Sequence, residues 1–227
     1  MGHEPRNHRG LPGTERYSLV VSRYRDRVDA GRSLGEVLTH LHGSTPLVLG
    51  IPRGGVPIAA EVADVLDGEI GFVLATKVGA PWSRELAIGA VAPDGVVLLD
   101  EPMIKRMGLD PTEVDAEVEH SLAELQRRQS VFGGDPPPVA GRVVIVADDG
   151  VATGATLRAA LAYVRRLGPD RLVCAVPVGP PATIDLLAYE VDEIVCPMQP
   201  NRLRAVGEWY DAFPQCSDAE VLELLSP

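Results

Sequence analysis

Residues 142–156, RVVIVADDGVATGAT, decide the fold. Val143, Val144, Ile145 and Val146 form an unbroken β-branched run, the pattern of a central parallel strand buried on both faces. Asp148 and Asp149 follow at the carboxyl end of that strand, the end that faces the ligand crevice in open α/β sheets. Thr153, Gly154 and Thr156 are then small residues whose backbone N–H groups can converge on an anion. A helix starting near Gly154 adds the positive end of its dipole. A carboxylate pair beside an anion cradle requires a ligand with hydroxyls or a metal at one end and a phosphate at the other. A phosphorylated ribose has both.

Working outward, 46–51 (PLVLGI) reads as a strand that runs into the turn Pro52-Arg53-Gly54-Gly55. A helix over 56–66 and a second strand over 70–76, closed by Lys77, complete a parallel β–α–β unit with a right-handed crossover. Before it, Leu34, Val37, Leu38 and Leu41 recur at helical spacing with Ser33 as the N-cap. Segments 86–91 and 96–99 flank Pro93-Asp94-Gly95 and read as a hairpin, while 78–85 (VGAPWSRE) reads as a mobile connection. A long mixed-charge helix is expected over 111–130, and helices over 154–167, 182–188 and 217–225. Strands are expected over 171–178 and 193–196. The pattern predicts an α/β fold, a parallel sheet flanked by helices.

Composition narrows the function. The chain has 227 residues, 45% of them hydrophobic, enough for one α/β domain with an appendage. The first residues are polar and lack an apolar core, so 1–16 reads as a disordered tail rather than a signal peptide, with the domain over 17–227. No apolar run is long enough to span a membrane. Cys174, Cys196 and Cys216 are odd in number and lack metal-site spacing; Cys174 and Cys196 lie in apolar strand-like runs and read as reduced core thiols, which implies a cytoplasmic protein. A net charge of −11 argues against nucleic-acid binding, but allows a small anion in a locally basic pocket. Lysine occurs only at Lys77 and Lys105. Ser18 and Ser22 have no associated base, and the histidines give no catalytic or metal pattern.

The run from Asp148 to Thr156 resembles the fingerprint of the type I phosphoribosyltransferases, which bind 5-phosphoribosyl-1-pyrophosphate (PRPP). The resemblance implies that family's fold, with a lid hairpin over about 78–99 and a small hood from the N-terminal segment and about 197–227. It implies that Asp148 and Asp149 hold the ribose hydroxyls, and that Val151, Ala152, Thr153, Gly154, Ala155 and Thr156 grip the 5-phosphate. Pro52-Arg53-Gly54-Gly55 resembles the pyrophosphate loop, with Arg53 on pyrophosphate oxygens beside the amides of Gly54 and Gly55. Lys77 would neutralise the departing pyrophosphate, and Arg84 would be a lid contact. Magnesium would be held by substrate oxygens, with Asp148 and Asp149 acting through ribose hydroxyls or water rather than as direct ligands. A homodimer is implied as well.

Two positions depart from the family pattern. Gly150 stands where a branched apolar residue is common, and Ala152 where the hypoxanthine–guanine branch has a purine-facing aspartate. Ala152 weakens an oxopurine assignment and fits adenine-type, orotate-type or unassigned members. The implied reaction is transfer of the phosphoribosyl group from PRPP to a nucleobase-like heterocycle. The open alternatives are a PRPP- or nucleotide-sensing regulator without turnover, and a hydrolase or phospholyase acting on a phosphorylated metabolite.

Overall fold

A computed structural model of the chain describes residues 23–133 and 136–226. The expected tail over 1–16, the start of the domain at 17, Ser18 and Ser22 lie outside the described residues. In chain order the elements are α1 (Arg27–Val37), β1 (Leu47–Gly50), α2 (Gly55–Leu66), β2 (Glu69–Phe72), β3 (Thr76–Ala80), β4 (Ser83–Val91) and β5 (Val97–Leu99). They continue with α3 (Glu101–Met107), α4 (Pro111–Phe132), β6 (Val143–Ala147), α5 (Ala155–Arg166), β7 (Arg171–Ala175), α6 (Pro181–Leu187), β8 (Glu193–Val195) and α7 (Asp218–Leu225).

Five strands form a parallel sheet in the order β2-β1-β6-β7-β8. The chain winds outward from β1 to β2, then returns to the other side of β1 with β6 and winds outward again. The strand order therefore reverses between β1 and β6, where ligands of open α/β sheets bind. Register brings the two loops level: Gly50, the last residue of β1, lies opposite Ala147, the last of β6. The expected β-branched run fills the centre, with Val144, Ile145 and Val146 fully buried. One face of the sheet packs against α5, the other against α1 and α2.

The expected elements recur, with three corrections. Asp26, rather than Ser33, caps α1, accepting from the Asp29 N–H at 2.9 Å, so the helix starts well before the position its apolar stripe suggests. Charged Arg27 and Asp29 and small Ala30 and Gly31 hide this start. Gly31 in its middle has a packing reason: a Cβ there would lie 2.9 Å from the Ile58 carbonyl oxygen of α2. Lys77 does not close β2, which ends at Phe72; Val73, Leu74 and Ala75 stay buried as the chain leaves the sheet, and Lys77 is the second residue of β3. The connection expected over 78–85 is instead a hairpin, β3 pairing antiparallel with β4 so that Lys77 faces Ala90. The expected hairpin around Pro93-Asp94-Gly95 joins β4 to β5.

The resulting three-stranded sheet is held from two sides. Val78, Ala80, Ile88 and Val91 pack with α4 and α7 through Val114, Leu125, Phe132 and Val221. Ala90, Ala92 and Val96 join the cluster that includes α5. Helix α3 has no counterpart in the sequence reading; it is capped by Asp100, spans seven residues and contributes only the partly buried Met103, Ile104 and Met107 to the cluster with α4 and α7. The segment after β8 crosses back to Tyr24, just before α1, where Tyr24 N–H donates to the Trp209 carbonyl at 2.9 Å and Asp211 N–H to the Tyr24 carbonyl at 2.8 Å. Trp209 packs into the α1–α2 cluster.

Because α1 approaches the α2 backbone at Gly31, Gly31→Ala must push the helices apart. It is expected to lower unfolding free energy by about 1–3 kcal/mol in urea titrations. An unchanged midpoint would show that the helices accommodate the methyl group.

Candidate active site

The loop after β6 is built before any ligand enters. Val151 is buried and its N–H donates to the Val178 carbonyl at 2.8 Å, while the Thr183 hydroxyl donates to the Ala152 carbonyl at 2.7 Å. At Gly150 a Cβ would lie 2.6 Å from a Val206 methyl and 2.9 Å from one of Val178. The missing branched side chain is thus replaced by valines from neighbouring segments, and the loop is packed rather than loosened. Gly154 takes a left-handed conformation, φ 81°, and caps α5 without a side-chain hydrogen bond. The first-turn amides of α5, including those of Ala155 and Thr156, are therefore left facing outward as donors.

The loop after β1 lies against this one with no space for side chains. A Cβ on Gly54 would overlap the Asp149 carboxylate, and one on Gly55 would lie 2.5 Å from the Ala147 carbonyl oxygen. Arg53 projects outward, 3.5 Å from Asp218 at the start of α7. The Pro52 carbonyl accepts a 2.7 Å hydrogen bond from Arg128 of α4.

The acid pair is unequal. Asp148 Oδ1 accepts from the Asp149 N–H at 2.9 Å. Asp149 Oδ2 is gripped by Arg27, 2.9 Å from Nε and 2.8 Å from the second guanidinium nitrogen. Arg27 also donates to the Pro214 carbonyl at 2.7 Å and lies 3.8 Å over the Phe213 ring. A cation at the first position of a helix opposes the helix dipole, so tertiary contacts hold Arg27 there. Tyr210 donates its hydroxyl to the Asp149 carbonyl at 2.6 Å, and burial pushes the phenol pKa up, which keeps it protonated. Burial raises the Asp149 pKa while the Arg27 charge opposes the rise. Burial, then the neighbouring Asp149 charge, holds Asp148 well above the usual carboxylate range.

A cavity of ≈ 570 Å³ opens at this edge of the sheet and brings together Arg53, Lys77, Asp148 and Thr156 from the sequence reading. Thr76 also lines it, and among the described residues its buried hydroxyl oxygen has no hydrogen-bond partner. Other expected residues face elsewhere. Thr153 and Ala155 line a neighbouring cleft of ≈ 590 Å³ between the hairpin and α5. Arg84 lines a third cavity of ≈ 430 Å³, which shares Thr76, Lys77 and Glu124 with the first. Arg27, Arg127, Arg128, Thr183 and Asp218 have no part in the sequence reading. Arg128 alone leaves a trace: it occupies a stripe position of α4, in step with Val114, Val118, Ser121, Leu125 and Phe132, where an apolar residue is expected.

Residues 28–208 match the family model of the phosphoribosyl transferase domain, and the chain belongs to that family. It is 44% identical over 202 residues to a Mycobacterium tuberculosis (strain H37Rv) protein named "Putative phosphoribosyl transferase Rv0571c". That alignment covers 88% of this chain and 46% of the relative, so the chain spans about half the relative's length. The crystal structure of TT1426 from Thermus thermophilus superimposes with a TM-score of 0.73 at 39% identity, over 89% of this chain and 97% of that one. A more distant relative, 25% identical over 146 residues, is the transcriptional regulator GfcR of Haloferax volcanii; the match covers 64% of this chain and 50% of the relative. Among the described residues no helix is long and apolar enough to cross a membrane.

The raised Asp148 pKa has a consequence for stability. The folded state holds the proton to higher pH than the unfolded chain, whose aspartates titrate near ~3.9. Stability is therefore lost as pH rises from that value through the folded pKa, and ionised Asp148 costs stability at neutral pH. Asp148→Asn, which can still accept from the Asp149 N–H, is expected to raise Tm at pH 7, by about 2–4 °C per kcal/mol recovered. The gain should vanish in acid. A lower Tm at pH 7 would contradict the burial cost.

Proposed function

We propose that the protein transfers the phosphoribosyl group of PRPP to a nitrogen of a nucleobase-like heterocycle, releasing pyrophosphate. One observation carries the reading: a single cavity at the strand-order reversal holds Arg53 and Lys77 from one side and Asp148 and Thr156 from the other. The cations suit pyrophosphate, and the α5 amides and the Thr156 hydroxyl suit the 5-phosphate. Asp148 and the free oxygen of Asp149 suit the ribose hydroxyls. Bond formation from the base nitrogen to C1 accompanies cleavage of the C1–O bond, whose electron pair leaves with pyrophosphate. The chain's part is to position the donor and stabilise the charge of the leaving group. No general base is assigned.

Magnesium fits as a substrate-borne ion. Among the described residues no group of three His, Cys, Asp or Glu side chains converges to hold a metal, yet two half-buried carboxylates adjoin at the floor of the site and the Arg27 ion pair goes to Asp149, not Asp148. A divalent ion on pyrophosphate and ribose oxygens would offset that charge, with Asp148 and Asp149 reaching it through hydroxyls or water. Arg84 and the hairpin would close over the reactants and exclude water. A cytoplasmic location and a homodimer complete the reading; the buried thiols Cys174 and Cys196 favour a reducing compartment.

A screen of purines, pyrimidines and related heterocycles with PRPP and magnesium, scored by nucleotide formation, tests this directly. Pyrophosphate release without any base would favour a hydrolase. PRPP binding with no turnover would favour a sensor, the reading suggested by the regulator named among the relatives. Thr156→Val is expected to weaken PRPP binding about tenfold by removing a hydrogen bond to a charged group. Lys77→Ala should slow turnover more than binding, and equal losses in both would remove it from the leaving-group role.

A further inference from the structure

Arg128 carries a burial cost that the fold alone does not repay. It comes from the fourth helix, on the stripe otherwise used for packing, and it lines the ≈ 570 Å³ cavity. Its one hydrogen bond among the described residues runs to the Pro52 carbonyl at 2.7 Å. No carboxylate among the described residues forms an ion pair with it, although its neighbours have theirs: Arg127 with Glu124 at 2.8 Å, and Arg53 with Asp218 at 3.5 Å. A guanidinium has five N–H donors, so most of those on Arg128 remain for a ligand. Desolvation lowers its pKa, and the nearby Arg53 and Arg127 charges push the same way, against Glu124 and Asp218. A desolvated charge without a counter-ion is retained where an anion supplies one.

We infer that Arg128 is a direct ligand of the diphosphate. One edge of the guanidinium is docked on the loop after β1, and its remaining N–H groups bind phosphoryl oxygens beside Arg53. The inference rests on the phosphoribosyl-transfer reading for the identity of the anion. The cavity has room for a diphosphate, and its cations come from three separate elements, the β1 loop, β3 and α4, so that more than one phosphoryl group can be met at once. Arg128 thus ties the anion to the loop that holds it, which a lysine in the same place could do only as a point charge.

The test separates charge from loop support. Arg128→Gln keeps an N–H donor for the Pro52 carbonyl and loses the charge, whereas Arg128→Lys keeps the charge. Calorimetric titration with inorganic pyrophosphate should show about ten- to a hundredfold weaker binding for Arg128→Gln, the loss expected of a charge-assisted contact, and partial recovery in Arg128→Lys. Ribose 5-phosphate binding should be unchanged in both, which also reports that the fold is intact. Wild-type pyrophosphate affinity in Arg128→Gln, or a wild type that does not bind pyrophosphate, overturns the inference. A wild type that forms no nucleotide with any base, yet shows this pattern, upholds the inference while removing the transfer reading. Transfer activity in a wild type whose Arg128→Gln variant binds pyrophosphate normally does the reverse.

Discussion

Everything at the site depends on the pairing of β1 with β6. Neither strand carries a ligand-binding side chain, and both are buried. Their register ends them together, Gly50 beside Ala147, and the Ile51 N–H continues the ladder onto the Ala147 carbonyl at 2.9 Å. Two loops distant in sequence thereby leave the sheet side by side, so close that Gly54 and Gly55 have no space for a Cβ. A shift of one residue in that register would turn one strand's side chains over relative to the other's and offset the acid pair from the arginine loop.

Electrostatics at this edge run against the molecule as a whole. The chain has a net charge of −11, yet the cavity is lined by Arg53, Lys77, Arg127 and Arg128 against Glu124, Asp148 and Asp218. Burial also favours the neutral form of Asp148, leaving the local balance more positive than a formal count suggests. Acidic character elsewhere and basic character here are compatible because charges beyond about 8–10 Å are screened at physiological salt. Asp149 is treated differently from its neighbour, with Arg27 and Tyr210 fixing one carboxylate oxygen and the backbone carbonyl.

What is legible in the sequence is what lies contiguous in it. The strand, acid pair, glycine turn and helix start between 142 and 156 share one stretch, and so do the strand and arginine turn before α2. Both occur in the structure with boundaries moved by a residue or two. The start of α1 is hidden because its buried positions there are the small Ala30 and Gly31, and Gly31 looks like a breaker, although that glycine is what permits contact with α2. Lys77 reads as the end of β2 because Val73, Leu74 and Ala75 remain buried after leaving the sheet, and an apolar run cannot report which neighbour covers it. Arg27 lies 122 residues from Asp149, a separation at which no local pattern operates. Arg128 does disturb a local pattern, the packing stripe of α4, and asking why a charge stands there is enough to find it.

Thr183 and Val178 touch the loop after β6 from behind, at the Ala152 carbonyl and the Val151 N–H. The cradle is therefore a mould cast in advance: its backbone groups are committed on the inner side before any anion approaches the outer one. Binding to such a surface spends little free energy on ordering the protein. Selectivity at such a surface is exercised at first encounter, by whether a ligand matches a shape that does not adapt to it.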